Sequence, residues 1–369
     1  MKPVAAKILN PLASIILVLA VVYVLLVVTG NRAVKRSEQA LRDDGRPVTL
    51  EAVLPPEVPD ADNAALDYRR AVLMLKAEKV GEQSLWEALQ ESTTDVLSDE
   101  ATEASRERVD ALRKRPDVEQ AVALLTSGSR KPGYSNNLDF SQGLALQLPH
   151  TYDHRTINRI LSAMAIAEHK AGNPAAAWET VITSLRVVDG LKTEPILVSH
   201  LVRASCFKDF QQILRRLPYS ADAHREILPL LDAFEDRAPF LASLDGERIL
   251  AGKWVFEMDA AQSKDLSGEA GTASIGLMGW RAIRLHDQAA YNTLMLKQTR
   301  LVQEGYQPDD GKKFKALYED IPSYCILTRL IRPALGRAKI VMLEQAARVR
   351  VTRAGLSDAR RQRSPAWRG

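Results

Sequence analysis

The residues with the clearest chemical potential are two histidines and an aspartate at the start of a predicted helix. His150 and His154 are four positions apart, and Asp153 lies between them. Two imidazoles at this spacing share one face of a helix, where both can reach one zinc ion. An acid between them could serve as a general base. The pattern predicts His150 and His154 as candidate metal ligands and Asp153 as a candidate catalytic carboxylate.

The spacing of His150, Asp153 and His154 is similar to that of the inverted zinc-protease motif, with Asp153 where that motif has glutamate. The same residues also have a purely structural interpretation. Pro149 places His150 at the very start of the helix, and no downstream His or Glu is spaced as an obvious third ligand. The three side chains would then be polar groups of a first helical turn, where the helix dipole favours the aspartate. The sequence alone leaves both interpretations open.

A second charged group, Asp245-Gly246-Glu247-Arg248, interrupts an otherwise apolar segment. Glu247 is expected to be partly buried there, and burial would give it the shifted pKa that suits a catalytic carboxylate. The alternative is an ion pair within this charged group that only fixes the packing.

The chain carries no other catalytic or cofactor motif. Gly268, Gly271 and Gly276 are not followed by the Lys-Ser or Lys-Thr of a phosphate loop, and there is no G-x-G-x-x-G or G-x-S-x-G pattern. No cofactor is therefore predicted, and whether the protein is an enzyme stays undecided. Cys206 and Cys325 belong to no motif and are predicted to be small buried side chains, with a disulfide or a reactive thiol as the alternatives.

The stretch from Leu9 to Thr29 is predicted to be a transmembrane helix. No Asp, Glu, Lys, Arg or His occurs from Ile8 to Gly30, and about twenty apolar residues in a helix span the hydrocarbon layer of a bilayer. The alternative is a cleaved signal peptide, because Lys2 and Lys7 precede the apolar run. The run is longer than the apolar part of an ordinary signal peptide, which favours the anchor.

Two rules predict opposite orientations of this anchor in the membrane. A count of Lys and Arg would keep the body in the cytoplasm, because more of them follow the apolar stretch than precede it. Long domains, however, translocate largely regardless of charge, and a short basic tail before a first span is typical of a signal anchor. We therefore expect a short cytoplasmic tail and an extracytoplasmic body. The basic residues after the span are Arg32, Lys35, Arg36, Arg42 and Arg46.

The rest of the chain is predicted to be one all-α soluble domain. Apolar residues at 46% and charged residues at 26% are values of a folded core rather than a disordered chain. Apolar positions recur with helical spacing, so the domain is expected to be a helical bundle or an irregular α-solenoid. The predicted segments are an N-terminal tail (1–8), the transmembrane helix (9–29), a juxtamembrane helix with a proline-rich linker (30–59), the helical domain (60–355) and a basic tail (356–369).

One helical hairpin is defined sharply by its turn residues. Gly172 is predicted to end one helix, Asn173 to cap the next, and Pro174 to take the first helical position. Small and bulky residues on both helices fall where a tetratricopeptide hairpin has them. No second copy occurs at the period of 34 residues, so the hairpin predicts a single unit of this type and not a repeat array.

The C-terminal tail after Gly355 is strongly basic and is expected to be frayed. Such a tail could contact anionic lipid headgroups or nucleic acid. Nucleic acid is the poorer candidate, because only Trp367 is interleaved with the basic residues and no DNA-binding motif is present.

Three segments together resemble a group of bacterial membrane-anchored helical proteins that have no assigned activity. They are residues 59–65 (PDADNAA) with Tyr68, residues 138–150, and the hairpin as far as residues 194–197 (EPIL). The resemblance covers about half of the chain. It implies a helical fold and a location in the cell envelope, and it transfers no site residue.

These observations favour a membrane-anchored interaction or scaffold protein that binds the bilayer through its N-terminal helix and a protein partner through its helical body. The alternative is an envelope hydrolase, possibly metal-dependent, that uses His150, Asp153, His154 or Glu247.

Overall fold

The computed structural model describes residues 3–97, 102–257 and 281–363. Within these ranges the protein is all-α, as predicted. The helices are α1 (Pro3–Asp43), α2 (Ala64–Ala77), α3 (Leu85–Leu97), α4 (Glu103–Arg113), α5 (Pro116–Gly128), α6 (Pro149–Lys170), α7 (Pro174–Asp189), α8 (Leu197–Leu214), α9 (Ala221–Glu235), α10 (Ala238–Gly246), α11 (Trp254–Glu257), α12 (Arg281–Gln303), α13 (Asp310–Glu319), α14 (Ile326–Ile331) and α15 (Leu335–Arg363).

The starts of several helices follow from local capping chemistry. The side chains of Asn63, Thr102 and Ser220 accept hydrogen bonds from backbone N–H groups in the first turns of α2, α4 and α9. Proline takes the first position of α5, α6 and α7, where its missing N–H costs nothing. These residues fix where the helices begin without any help from distant parts of the chain.

Helix α1 contains the predicted transmembrane stretch. Its part from Ala13 onward is long and apolar enough to cross a membrane, and in the described chain no other helix meets that criterion. The side chains from Ile15 to Tyr23 are exposed, which sets this helix apart from the buried core helix of a soluble protein. The helix then continues without a break through the predicted juxtamembrane segment to Asp43.

The described residues form two compact units, each built from separate parts of the chain. Unit 1 comprises the described parts of 1–53, 140–145 and 245–336, and unit 2 comprises those of 54–139, 146–244 and 337–369. The segment 60–355, predicted as one domain, therefore contributes to both units.

Unit 1 is organised around the packing of α1 against α12. Gly30 of α1 faces Leu285, and the side chain of Asn292 donates to Ser37 Oγ at 3.2 Å. The start of the proline-rich linker is held in this unit. Arg46 Nη1 lies 3.2 Å from Asp245 Oδ2, and Arg248 donates to the carbonyl oxygen of Pro47.

Unit 2 contains one large apolar core to which α2, α3, α5, α6, α7, α8 and α9 all contribute. The predicted hairpin lies at its centre. Helices α6 and α7 pack closely against each other, and Gly172 between them has a φ of +85°, which favours glycine. Asn173 occupies the N-cap position, although its side chain makes no capping hydrogen bond. Leu161, Ala165, Ala177 and Val181, which carry the tetratricopeptide-like pattern, are all buried.

Two other local expectations are corrected by the structure. Residues 79–80 and 83–84 form a two-stranded antiparallel hairpin where the sequence predicts helix; Gly81, with a φ of +64°, permits its tight turn. The C-terminal tail is expected to fray after Gly355, but α15 continues to Arg363, since one glycine costs a helix only about 1 kcal/mol. The rest of the tail, 364–369, lies outside the described residues, as do residues 1 and 2 of the N-terminal tail.

Candidate functional site

The histidine motif lies at the start of α6, where four parts of unit 2 meet. The other three are α2, the loop that follows α5, and the turn that ends at Glu194. The loop is pinned at its base, because Asn63 exchanges two hydrogen bonds with the backbone of Ser135. Thr193 Oγ1 donates to the carbonyl oxygen of Tyr134 at 3.1 Å and so joins the turn to the loop. Local chemistry thus holds the elements that surround His150 and His154.

His154 is fully buried, and both of its ring nitrogens are bonded to protein atoms. Nδ1 lies 2.7 Å from the carbonyl oxygen of His150, so it must carry a proton and donate. Nε2 then accepts from the hydroxyl of Tyr134 at 3.0 Å, and Asn136 Nδ2 donates to that hydroxyl at 2.6 Å. Burial lowers the pKa of His154 to about 4. This imidazole is therefore neutral at pH 7, with its tautomer fixed by its neighbours.

His150 is held by the buried carboxylate of Glu194. Its Nε2 lies 2.9 Å from Glu194 Oε1, while Asn136 and Ser199 also donate to this carboxylate. Burial alone would raise the pKa of Glu194, but the hydrogen bond and charge of His150, with the bonds from Ser199 and Asn136, bring it below its usual value. No described protein group bonds His150 Nδ1.

Asp153 is bonded to neither histidine. Its Oδ1 accepts from Lys76 Nζ at 2.9 Å, and the same ammonium lies 5.2 Å from the centre of the Trp86 ring. A carboxylate paired with a lysine in this way is not positioned as a base toward His150 or His154. The sequence prediction of a catalytic role for Asp153 therefore finds no support in the geometry.

His150, Asp153 and His154 line one cavity of about 350 Å³, which we call the His150 cavity. Its wall is largely apolar and includes Ala65, Val72 and Ile157. Arg69 and Gln147 line its exposed rim. A concave apolar site with a few fixed polar groups is the usual form of a ligand or side-chain pocket.

The residues do not fit the metal site that the sequence spacing predicts for His150 and His154. Both nitrogens of His154 are occupied by protein groups, and the two rings are perpendicular with centroids 6.0 Å apart. In the described parts of the chain, no group of three or more His, Cys, Asp and Glu side chains could hold a metal ion. His150 and His154 share a helix face as predicted, but their neighbours turn them toward separate partners.

Glu247 belongs to unit 1, whereas the histidines belong to unit 2. Arg248 pairs with Asp245 at 3.2 Å, so an ion pair does form within this charged group, without Glu247. Glu247 begins a π-helical turn that runs to Lys253, and burial raises the pKa of its carboxyl group as the sequence predicts. No cavity described in the structure places a second reactive group beside it.

Three members of the site, Tyr134, Asn136 and Glu194, are not predicted as site residues from the sequence. They are distant from His150 along the chain and belong to loops, where no periodicity marks them. The only local signal is the density of polar and turn-forming residues in the loop from Gly128 to Gly143, which indicates a structured loop but not its partner.

The chain matches no protein-family model, and neither a curated protein nor a solved structure is significantly similar to it. Function must therefore be argued from the site itself.

Proposed function

We propose that this protein is a membrane-anchored interaction protein that takes a side chain of a protein partner into the His150 cavity. One observation carries the proposal: most polar groups in and directly behind the cavity wall are already bonded to other protein groups. His154 uses both nitrogens, Glu194 accepts from three side chains, and Asp153 is paired with Lys76. Because these groups are already bonded to protein atoms, they form a rigid cavity wall. A rigid preformed site loses little conformational freedom when it binds, which favours binding.

The chemistry of the cavity defines the part of the partner that would enter it. The apolar wall, formed by residues such as Ala65, Val72 and Ile157, matches an apolar or aromatic side chain. The polar rim, with Arg69 and Gln147, would contact the flanking backbone. About 350 Å³ is enough for one or two such side chains. We therefore expect a peptide segment with one large apolar anchor residue.

Photocrosslinking tests this proposal directly. Gln147 is exposed and lines the cavity, whereas Gln120 is exposed on α5 and lines none of the described cavities. A photoreactive amino acid at position 147 should give one discrete protein adduct in source cells, and the same amino acid at position 120 should give none. The adduct should disappear when the cavity is narrowed by Leu138→Trp. Equal crosslinking from both positions, or none from either, would exclude the cavity as the binding site.

We propose further that α1 crosses the bilayer once, with a short cytoplasmic tail and the body on the opposite side. The charge-free stretch of α1 and its exposed apolar side chains support the anchoring. Carbonate extraction tests it: the chain should stay in the membrane pellet. Protease added to intact cells should cleave the body that follows α1, because the proposed orientation places this body outside the membrane. Cleavage only after the cells are opened would reverse the proposed orientation.

A hydrolase is the second candidate, and the pairing of His150 with Glu194 is what favours it. A buried carboxylate that holds one imidazole nitrogen leaves the other nitrogen free to act as a general base. His150 Nδ1 is the atom that could take a proton from water in this cavity. An activity on ester or phosphoester substrates that His150→Gln abolishes would favour the enzyme over the interaction protein.

A further inference from the structure

Helices α1 and α12 of unit 1 run in the same direction along their contact. His286 Nε2 lies 3.3 Å from Thr29 Oγ1, Asn292 Nδ2 lies 3.2 Å from Ser37 Oγ, and Arg300 Nε lies 3.0 Å from Asp44 Oδ1. Residue numbers therefore rise together on both helices. Because α1 leaves its apolar stretch at Gly30, the N-terminal end of α12 is the end nearest to that stretch.

This parallel alignment places the start of α12 beside the apolar part of α1. His286 Nε2 also lies 3.2 Å from the carbonyl oxygen of Leu26, which is within the predicted span. The described part of α12 begins at Arg281, five residues earlier, which is ~7.5 Å farther along the apolar stretch, away from Gly30, at the rise of an α-helix. Arg281 thus lies level with the last turns of the span, from where a long side chain reaches the headgroups.

Other basic side chains lie just beyond the apolar stretch of α1, on the side where the helix enters water. Arg32, Lys35 and Arg36 follow the span within two helical turns, and like Arg281 they are exposed. None of these four has an acidic partner among the described residues. No acidic residue occurs between Gly30 and Ser37.

Two acidic residues near this group are already bonded to other protein groups, and a third, Asp320, lines one groove with Arg36. Glu38 pairs with Arg42 at 3.3 Å, one turn farther from the span. Asp287 is buried, and its carboxylate accepts from the backbone N–H groups of Leu327 and Thr328. The four cations therefore form a region of unbalanced positive charge at the expected membrane surface.

A groove of about 510 Å³ in unit 1 lies between α1, α12 and the segment that includes Asp320. Arg36, His286 and Asp320 line it together with apolar residues that include Ala33 and Ala289. A phosphate group beside Arg36, with the glycerol backbone against the apolar wall, would match this combination of charge and surface.

We propose that Arg32, Lys35, Arg36 and Arg281 form a binding surface for the headgroups of anionic phospholipids in the membrane that holds α1. This inference rests on the proposed membrane anchoring. Each basic residue near an anionic surface adds to the attraction between the protein and that surface. Together the four would select anionic lipids as neighbours of the span and fix the depth of α12.

Native mass spectrometry of the detergent-purified full chain tests the surface. Phosphatidylglycerol and phosphatidylcholine with identical acyl chains are added separately, and the bound lipids are counted. The wild type should retain phosphatidylglycerol preferentially. The variant Arg32→Gln/Lys35→Gln/Arg36→Gln/Arg281→Gln should lose that preference, with a decrease of about tenfold or more in bound phosphatidylglycerol.

The matched control removes the same charge from unit 2. Lys170, Lys208, Arg215 and Arg216 are exposed, and their replacement by Gln should leave the preference unchanged. Equal retention of both lipids by the wild type, or an equal loss in the control variant, would overturn the proposal. Displacement of the lipid by glycerol phosphate would also overturn it in favour of a soluble phosphate ligand.

Carbonate extraction of the wild type separates the two proposals. A chain that stays in the pellet but shows no lipid preference keeps its anchor and lacks the lipid surface. A chain that washes off the membrane lacks the anchor itself.

Discussion

The Nε2 atom of His150 lies 2.9 Å from Glu194 Oε1 and 3.0 Å from Glu194 Oε2. This pair joins the first turn of α6 to the turn before α8. Only 4% of the Glu194 side chain and 12% of the His150 side chain are exposed, so solvent screens the interaction weakly. Asn136 connects the same carboxylate to the hydroxyl of Tyr134 and through it to His154. One acidic side chain thus organises the wall of the His150 cavity.

Replacing Glu194 by glutamine should destabilise unit 2. The carboxylate of Glu194 accepts hydrogen bonds from His150, Ser199 and Asn136. The amide of glutamine has the same shape, but its NH₂ group cannot accept, so one of these donors would lose its acceptor. We expect Glu194→Gln to lower the free energy of unfolding by about 2 kcal/mol. Urea titration of the detergent-solubilised full chain measures this change, with the fluorescence of the buried Trp86 and Trp178 as the signal.

Glu179→Gln provides the matched control for this substitution. Glu179 pairs with Arg130 at 2.8 Å, but both side chains are more than half exposed. Such surface pairs contribute about 0.5 kcal/mol or less. A loss of stability in Glu194→Gln no larger than in Glu179→Gln would show that the buried carboxylate does not organise the site.

The buried histidines should make the protein less stable in mild acid. Burial lowers the pKa of His154 to about 4, below the ordinary value of 6.5. Between these two pH values the unfolded chain binds a proton that the folded chain does not bind, so unfolding becomes more favourable as the pH falls. Above about pH 6.5 the protonation of His154 does not reduce the free energy of unfolding. By pH 4 His154 alone should have lowered that free energy by about 3 kcal/mol. His200, whose pKa burial also lowers to about 4, should act in the same direction.

The slope of stability against pH tests this prediction. The free energy of unfolding of His154→Asn should fall less steeply between pH 6.5 and 4 than that of the wild type, by about one bound proton. The slope is the useful readout because the variant also loses the hydrogen bond from Tyr134 and is less stable at every pH. An unchanged slope would mean that His154 is not a buried neutral imidazole.

Features that depend on neighbouring residues are predicted well from the sequence. Gly172 and Pro174 define the α6–α7 hairpin because a left-handed turn and a first-turn proline are local requirements. The long apolar helix is equally local, since only charge and length decide it. The start of α2 shows where local chemistry stops being decisive: Asp60, Asp62 and Asn63 are all good capping residues, but the two aspartates form a short 3₁₀ turn and Asn63 takes the cap.

Features that depend on long-range packing are not predictable in this way. His150 and His154 have the spacing of metal ligands, yet Tyr134 and Glu194 reach them from loops and occupy their nitrogens. An ion pair is expected within residues 245–248, and it forms between Arg248 and Asp245, because a spacing of three residues on a helix brings side chains together whereas adjacent side chains diverge. The identity of a partner at each site is a tertiary property that one sequence does not encode locally.

The two cysteines should be unreactive in the folded protein. Both are free thiols, and burial raises the pKa of Cys206 and of Cys325 to about 12. At pH 8 only about one thiol in 10⁴ would then be ionised, and the thiolate is the reactive form. A chromogenic disulfide reagent should label neither thiol in the native chain and both after denaturation. An added cysteine in Gln120→Cys, which is exposed, should react at once; labelling of the wild type at a similar rate would contradict the burial.

Alanine at two helical glycines should change stability in opposite directions. At Gly30 an added Cβ would lie 2.8 Å from Leu285 Cβ, too close for the α1–α12 contact, whereas at Gly355 no atom lies within 4 Å. Alanine stabilises an unobstructed helix by about 1 kcal/mol relative to glycine, so Gly355→Ala should increase the protection of α15 against hydrogen exchange. Gly30→Ala should instead decrease the protection of α12, because the helices must separate to accommodate the methyl group. Mass spectrometry of peptides from 281–303 and 335–363 measures both effects, and increased protection of α12 in Gly30→Ala would refute the close packing.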